Sequence, residues 1–222
     1  MVVKTQAHGP IEVPEWVVDF DSFGEWRFSD DVPEKLKAHY VRGRVWVEDM
    51  EEIFSHNKVK VAITSALDAI ARTENLGTYF QDGVLLSNEA ADVRNEPDAI
   101  FVSAESLKAR RVTFKAGRRS SSHATMLVGS PDLVVEVVSP SSVDKDYEYL
   151  LAAYFDAGIR EYWLIDARKA GAIAFTIHRR SAKGFVPVRT VKGWSNSDVF
   201  GRSFRLVRRE QFGLADYVLE SK

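Results

Sequence analysis

Residues 131–142 of the chain read PDLVVEVVSPSS, an apolar run with a single acid, Glu136, at its centre. Leu and Val at successive positions predict a strand buried on both faces, as in the middle of a sheet that helices cover on both sides. An unpaired carboxylate is costly to bury in such a strand. Glu136 is therefore expected to bind a divalent cation or to pair with a buried Arg or Lys, and residue identity leaves both open.

A helix and a second strand follow this run. Large side chains recur at helical spacing at Tyr147, Leu150, Leu151 and Tyr154. Gly158 is typical of a helix end, and residues 161–166, EYWLID, form another apolar strand. A strand, a helix and a strand within so short a span predict a right-handed crossover between two parallel strands.

The composition bounds the class of protein. The 222 residues are 45% hydrophobic and 28% charged, as in a globular domain, and the absence of Cys excludes disulfides and thiolate metal sites. We find no secretion signal and no membrane span of about 20 apolar residues, so a cytoplasmic location is expected. The net charge of -2 means that any contact with nucleic acid must rest on a local basic patch.

The pattern along the chain predicts one α/β domain. Residues 1–33, rich in aromatic side chains, are interpreted as an extension that packs on a main domain formed by residues 34–222. Residues 77–86 are interpreted as a hairpin folded about Asp82-Gly83, and alternating residues from Ile173 to Val191 predict a C-terminal β-hairpin.

Two acids are candidate neighbours of Glu136. Asp132 shares its strand face, but four residues of strand separate the Cα atoms by roughly 13 Å, too far for both carboxylates to bind one cation comfortably. Asp98 opens another short apolar strand, and a neighbouring strand lies only about 4.8 Å away. A simple turn role for Pro97-Asp98 is the alternative.

A basic run lies between the two acid-bearing strands. It contains no acid and consists of Lys108, Arg110, Arg111, Lys115, Arg118 and Arg119. Such a run could follow the phosphate backbone of a nucleic acid, or it could be an ordinary solvated surface, and the sequence leaves both open.

The motifs around Asp98 and Glu136 resemble the PD-(D/E)XK superfamily of restriction-endonuclease-like folds. More specifically, residues 131–142 and residues 157–166, AGIREYWLID, resemble the Uma-type putative restriction endonucleases. The resemblance covers roughly residues 34–179. It implies an α-β-β-β-α-β core with a mixed central sheet and Mg²⁺-dependent hydrolysis of phosphodiester bonds.

The resemblance also implies roles for individual residues. Asp98 and Glu136 match the metal-binding acids, and the backbone carbonyl of Val137 matches a further ligand. A lysine is expected at Val138 or at Leu150, and both positions are apolar here. Lys145 is the remaining candidate for the catalytic lysine; the alternative is a solvated surface residue.

Glu52 and His56 lie one turn apart near the first predicted helix. Because the superfamily sometimes adds a helix-borne acid to the metal site, Glu52 is a secondary candidate beside Asp132. A capping or surface role is the alternative for Glu52.

Three functions are compatible with these features. The first is an endonuclease that uses Mg²⁺, with Mn²⁺ as a substitute, on DNA, and a homodimer would supply the two sites that cutting both strands requires. The second is a nuclease-derived binding module that has lost catalysis. The third is an interaction domain in which Glu136 merely pairs with a buried base.

Overall fold

A computed structural model describes residues 2–5, 9–33, 36–48, 52–116, 123–169 and 172–222. Its helices are α1 (Phe20–Arg27), α2 (Lys58–Thr73), α3 (Ala104–Lys108) and α4 (Leu150–Asp156), and π-helical turns at Ile53–Asn57 and Lys145–Tyr149 lead into α2 and α4. The strands of the first half are β1 (Val2–Thr5), β2 (Gly9–Glu12), β3 (Lys37–Val41), β4 (Arg44–Glu48), β5 (Gly77–Gln81), β6 (Leu85–Asn88), β7 (Val93–Asn95) and β8 (Ala99–Ser103). The strands of the second half are β9 (Val112–Ala116), β10 (Ala124–Gly129), β11 (Leu133–Val137), β12 (Glu161–Asp166), β13 (Ala174–Arg180), β14 (Phe185–Pro187), β15 (Ser195–Ser197), β16 (Arg202–Gln211) and β17 (Leu214–Ser221).

The main sheet has the strand order β14-β13-β12-β11-β8-β5. Strand β11 is parallel to β12 and antiparallel to β8, so the sheet is mixed. Every residue of β11 is buried, as its apolar sequence predicts. The order α2, β5, β8, β11, α4, β12 along the chain confirms the expected α-β-β-β-α-β core and the parallel crossover through α4.

Helices on the two faces of the main sheet explain why β11 is buried on both sides. Val59, Ile63 and Leu67 recur along one stripe of α2 and pack in the same core as alternate residues of β11, Val135 among them. The other face of β11 packs in a second core with α4, which contributes Leu150. Apolar burial of this kind contributes roughly 25 cal/mol per Å².

A second sheet has the strand order β4-β3-β7-β6-β10-β9. It contradicts the predicted hairpin about Asp82-Gly83, because β5 pairs with β8 in the main sheet whereas β6 pairs with β7 and β10 in the second sheet. The turn exists, with Gly83 at a φ of 89°. Its two strands nevertheless diverge into different sheets, and Leu86 of β6 is buried in the core that also contains Leu150 of α4.

Both ends of the described chain add to the core. Helix α1 packs on β3 through a separate cluster that includes Phe23, Trp26 and Tyr40. Strands β13 and β14 form the predicted C-terminal hairpin and widen the main sheet. Strands β15, β16 and β17 form a further sheet, which contributes Phe204 and Leu219 to the core between α2 and β11. None of the described helices combines the length and apolar character needed to cross a membrane.

Candidate active site

A group of largely buried ionisable side chains lies where the main sheet meets the second sheet, and we call it the acid cluster. It comprises four carboxylates and two ammonium groups, those of Glu48, Asp98, Glu136, Asp146, Lys60 and Lys145. These residues come from five separate segments of the chain, so packing of the two sheets, α2 and the segment before α4 creates the cluster.

Glu136 lies at the centre of this cluster and is only 3% exposed. Its Oε1 atom accepts hydrogen bonds from Asn95 Nδ2, at 2.7 Å, and from the Tyr154 hydroxyl, at 2.6 Å. Burial raises the pKa of Glu136 well above its ordinary value; Asp146 and other acids add to the rise, against the opposing effect of Lys145. Without a bound metal, the Glu136 carboxyl therefore keeps its proton at pH values at which an exposed glutamic acid has already lost it.

Asn95 and Tyr154 hold one oxygen of Glu136 and leave the other available. Both residues are fully buried, and Asn95 Nδ2 also lies 2.7 Å from the Tyr154 hydroxyl. No described residue donates a hydrogen bond to Oε2 of Glu136. Glu136 is thus not bonded to an Arg or Lys of the described residues, and Oε2 can accept a further ligand.

Asp98 lies beside Glu136 on the neighbouring strand. The register of β11 against β8 pairs Val135 with Ala99, and one further step places Glu136 opposite Asp98. Cα atoms of such cross-strand neighbours are about 4.5–5.5 Å apart. The Oδ2 atom of Asp98 also accepts the backbone N–H of Val137 at 2.6 Å, which ties the two acid-bearing strands together.

Lys145 reaches the acid cluster from the π-helical turn before α4. It is 1% exposed, which shows that the alternative of a solvated surface lysine is wrong. Its ammonium is hydrogen-bonded to Glu48 and lies 3.5 Å from Asn95 Oδ1 and 3.6 Å from Asp146 Oδ1. Burial alone would lower the pKa of Lys145, but the surrounding carboxylates, Glu48 first, raise it overall, so the side chain is positively charged.

Asp146 adds a carboxylate that the sequence reasoning did not select. Its Oδ2 atom accepts a 2.5 Å hydrogen bond from the Ser142 hydroxyl, whereas buried Oδ1 receives no hydrogen bond from the described residues. Burial raises the pKa of Asp146 to about 7, against the opposing effects of Lys145 and Ser142. The sequence signal that could have identified Asp146 is its position directly after Lys145, in the segment that follows β11.

Sequence reasoning also missed Glu48, because β4 lies about ninety residues before the strand that carries Glu136. Burial would raise the pKa of Glu48, but Lys145 and His39 outweigh burial and lower it well below the ordinary value. His39 Nε2 lies 3.5 Å from Glu48 Oε1. Glu48 is therefore ionised and forms the ion pair that keeps Lys145 in place.

The charges and oxygens of the acid cluster fit a divalent cation. Four carboxylates against two ammonium groups leave an excess of two negative charges when all are ionised. No group of three or more His, Cys, Asp or Glu among the described residues has a ready-made metal geometry. Mg²⁺ commonly binds through one or two carboxylates and keeps several waters, so Asp98 and Glu136 with the Val137 carbonyl suit it.

Comparison with known proteins identifies the family. The model of the Uma2 family, described as putative restriction endonuclease, matches residues 19–206. The chain belongs to this family. The solved structure of a putative nuclease belonging to DUF820 from Anabaena variabilis ATCC 29413 is similar, with a TM-score of 0.60 and 15% identity over 83% of this chain and 91% of that one. No curated protein matches the chain.

Asp132, the secondary candidate on the strand of Glu136, has a different environment in this Uma2 family member. Its fully buried carboxylate accepts the Ser103 N–H at 2.7 Å and the Ser106 hydroxyl at 2.9 Å, and Arg160 lies 3.3 Å away. These contacts join the start of β11 to the end of β8. Asp132 is therefore at the opposite end of the strands from the acid cluster.

Glu52, the other secondary candidate, lies outside the cluster. It is exposed and accepts a hydrogen bond from the hydroxyl of Ser55 in the following π-helical turn. His56, one turn later, is buried with Nε2 at 3.7 Å from Asp98 Oδ2. The segment before α2 thus brings an imidazole to Asp98, whereas the carboxylate proposed from sequence points elsewhere.

The first part of the basic run is also distant from the acid cluster. Lys108 and Arg110 are exposed in and after α3, which follows the far end of β8 from Asp98. The five residues of β8, which separate Asp98 from α3 along the chain, span roughly 16 Å. Arg111 donates a 3.0 Å hydrogen bond to the carbonyl of Gly158 and so connects α3 to the end of α4.

The second part of the run returns toward the acid cluster. Exposed Lys115 of β9 pairs with Met126, which pairs in turn with Leu85 just after the Asp82 turn. Arg118 and Arg119 lie outside the described residues. Of the predicted basic residues that the structure describes, Lys115 is therefore the one on the same side of the molecule as Asp98.

Proposed function

We propose that this Uma2 family chain is a metal-dependent endonuclease that hydrolyses phosphodiester bonds of DNA. Asp98, Glu136 and the Val137 carbonyl would hold Mg²⁺, with Mn²⁺ as a substitute. The observation that carries the proposal is the position of Asp98 opposite Glu136, next to a charged Lys145, at the end of β11. A cytoplasmic location and a homodimer remain predictions.

The chemistry would divide between the cation and the side chains. When bound, the cation polarises the scissile phosphate and lowers the pKa of a water molecule. Asn95 and Tyr154 orient Glu136 so that Oε2 is presented, and the Val137 N–H orients Asp98. Lys145 supplies positive charge to the cluster, which favours the developing negative charge of the reaction.

Metal binding is the direct test. In calorimetric titrations with Mn²⁺ and Mg²⁺, we expect the parent protein to bind one ion and Glu136→Ala and Asp98→Asn to lose binding. Glu52→Gln removes an exposed acid outside the cluster and is the matched control, which should bind as the parent does. Equal binding by the parent and Glu136→Ala would show that the site is misplaced.

A nuclease-fold module that binds nucleic acid or another partner without catalysis is the second candidate. The burial of the Lys145 ammonium against Glu48 and Asn95 favours it, as do apolar Val138 and Leu150 where a lysine is expected. A plasmid-nicking assay with Mn²⁺ separates the two. Nicking that Asp98→Asn abolishes supports the endonuclease, whereas metal binding without nicking supports the module.

A further inference from the structure

Lys60 of α2 connects two carboxylates at the open side of the acid cluster. Its ammonium lies 3.2 Å from Asp98 Oδ1 and 2.7 Å from Asp82 Oδ2. Asp82, in the turn after β5, also accepts Lys37 at 2.9 and 3.0 Å. Asp82, Lys60 and Asp98 line a cavity of about 320 Å³ together with Asn57, Thr64 and Gln81.

We propose that Lys60 competes with the divalent cation for Asp98, and that Asp82 retains Lys60 when the cation binds. Lys60 is thus a positioning residue that sets the metal affinity of the site. This inference rests on the proposed function, because it requires Asp98 to be a metal ligand.

The geometry makes this exchange easy. An ammonium and a divalent cation repel each other, and both would bind the carboxylate of Asp98. Lys60 already contacts both acids, so a small rotation of its flexible side chain would break the bond to Asp98 and keep the shorter bond to Asp82. The Asp82 side chain is also the more exposed of the two acids, at 32% against 10% for Asp98.

Lys145 has a different environment and is not a candidate for this role. It is 1% exposed, and its ammonium contacts Glu48 and Asn95 on the interior side of the cluster. Lys60 instead lines the cavity that opens next to Asp98. Of these two lysines, Lys60 is the one whose ammonium contacts Asp98 directly and has a second carboxylate to which it can move.

The test is a Mn²⁺ titration by calorimetry on the full chain. A charge within about 4–6 Å changes the proton affinity of a carboxylate ten- to a thousandfold, and we expect Lys60→Gln to tighten Mn²⁺ binding by roughly tenfold or more. Asp82→Asn should weaken binding by roughly tenfold, because Lys60 then loses its bond to the Asp82 carboxylate and keeps its bond to Asp98. Opposite signs distinguish competition from simple structural damage, which would weaken binding in both variants.

Two controls separate the exchange from a general effect of charge. Lys37→Gln removes the other lysine that donates to Asp82, and it should change the affinity less than threefold, roughly. In the Lys60→Gln background, Asp82→Asn should no longer weaken binding. Equal gains from Lys37→Gln and Lys60→Gln, or an undiminished Asp82→Asn effect in the double variant, would overturn the proposal.

Failure of the inference is distinguishable from failure of the proposed function. If Asp98→Asn binds Mn²⁺ as the parent does, Asp98 is not a ligand and the proposed function fails with it. If Asp98→Asn loses binding while Lys60→Gln binds as the parent does, the metal site stands and the competition by Lys60 is refuted.

Discussion

Replacing Asp146 by Asn is expected to stabilise the metal-free protein at pH 8 and to leave its stability nearly unchanged at pH 4. Burial raises the pKa of Asp146 to about 7 in the folded protein, whereas the ordinary value is 3.8. Between these values the folded state holds a proton that the unfolded chain has released. The free energy of unfolding therefore falls as the pH rises through this window and is lowest above pH 7.

The magnitude follows from the same two values. At about 1.36 kcal/mol per pH unit, the interval corresponds to on the order of 4 kcal/mol. Asparagine is neutral and nearly isosteric with the protonated acid, and its side-chain oxygen can still accept the hydrogen bond from the Ser142 hydroxyl. We expect Asp146→Asn to gain about 2 to 4 kcal/mol over the parent at pH 8.

Urea unfolding in the presence of a chelator, followed by circular dichroism at pH 4, 6 and 8, measures this gain. Asp144→Asn is the matched control, because Asp144 is exposed two residues earlier in the same segment. Its stability should follow that of the parent at every pH. Equal stability of Asp146→Asn and the parent at pH 8, or a difference that does not vary with pH, would refute the reasoning about the buried carboxylate.

Two further substitutions separate structural from functional charges. Lys145→Met should lower the free energy of unfolding by about 3 to 5 kcal/mol at pH 8 in urea titrations, because it removes a buried ammonium and leaves the partly buried Glu48 without its ion-pair partner. The same variant should slow any nicking, while Mn²⁺ binding persists in the folded fraction. Asp132→Ala should cost about 2 kcal/mol or more, since the Ser103 N–H and the Ser106 hydroxyl lose their acceptor, and calorimetry should show unchanged Mn²⁺ affinity. A loss of metal affinity in folded Asp132→Ala would contradict its assignment to the far end of the strands.

Local patterns in the sequence were sufficient for the central part of the fold. Strand β11, the helix with Leu150 and Tyr154 on its buried side, and β12 each show a hydrophobic period that depends only on neighbouring residues. The same approach failed at the Asp82-Gly83 turn. A turn dipeptide specifies the direction of the chain but not the sheet that each flanking strand joins.

The sequence by itself predicted that Glu136 is an acid in a strand buried on both faces and that Asp98 opens another short apolar strand, and the structure places that strand beside β11. Only the tertiary structure decided that Asn95 and Tyr154 orient Glu136, and that Glu48 and Asp146 surround a buried Lys145. It also placed Lys60 between Asp82 and Asp98. The physical reason is that burial is encoded in the local period of apolar residues, whereas contacts between charges dozens of residues apart arise only when the two sheets and their helices pack together.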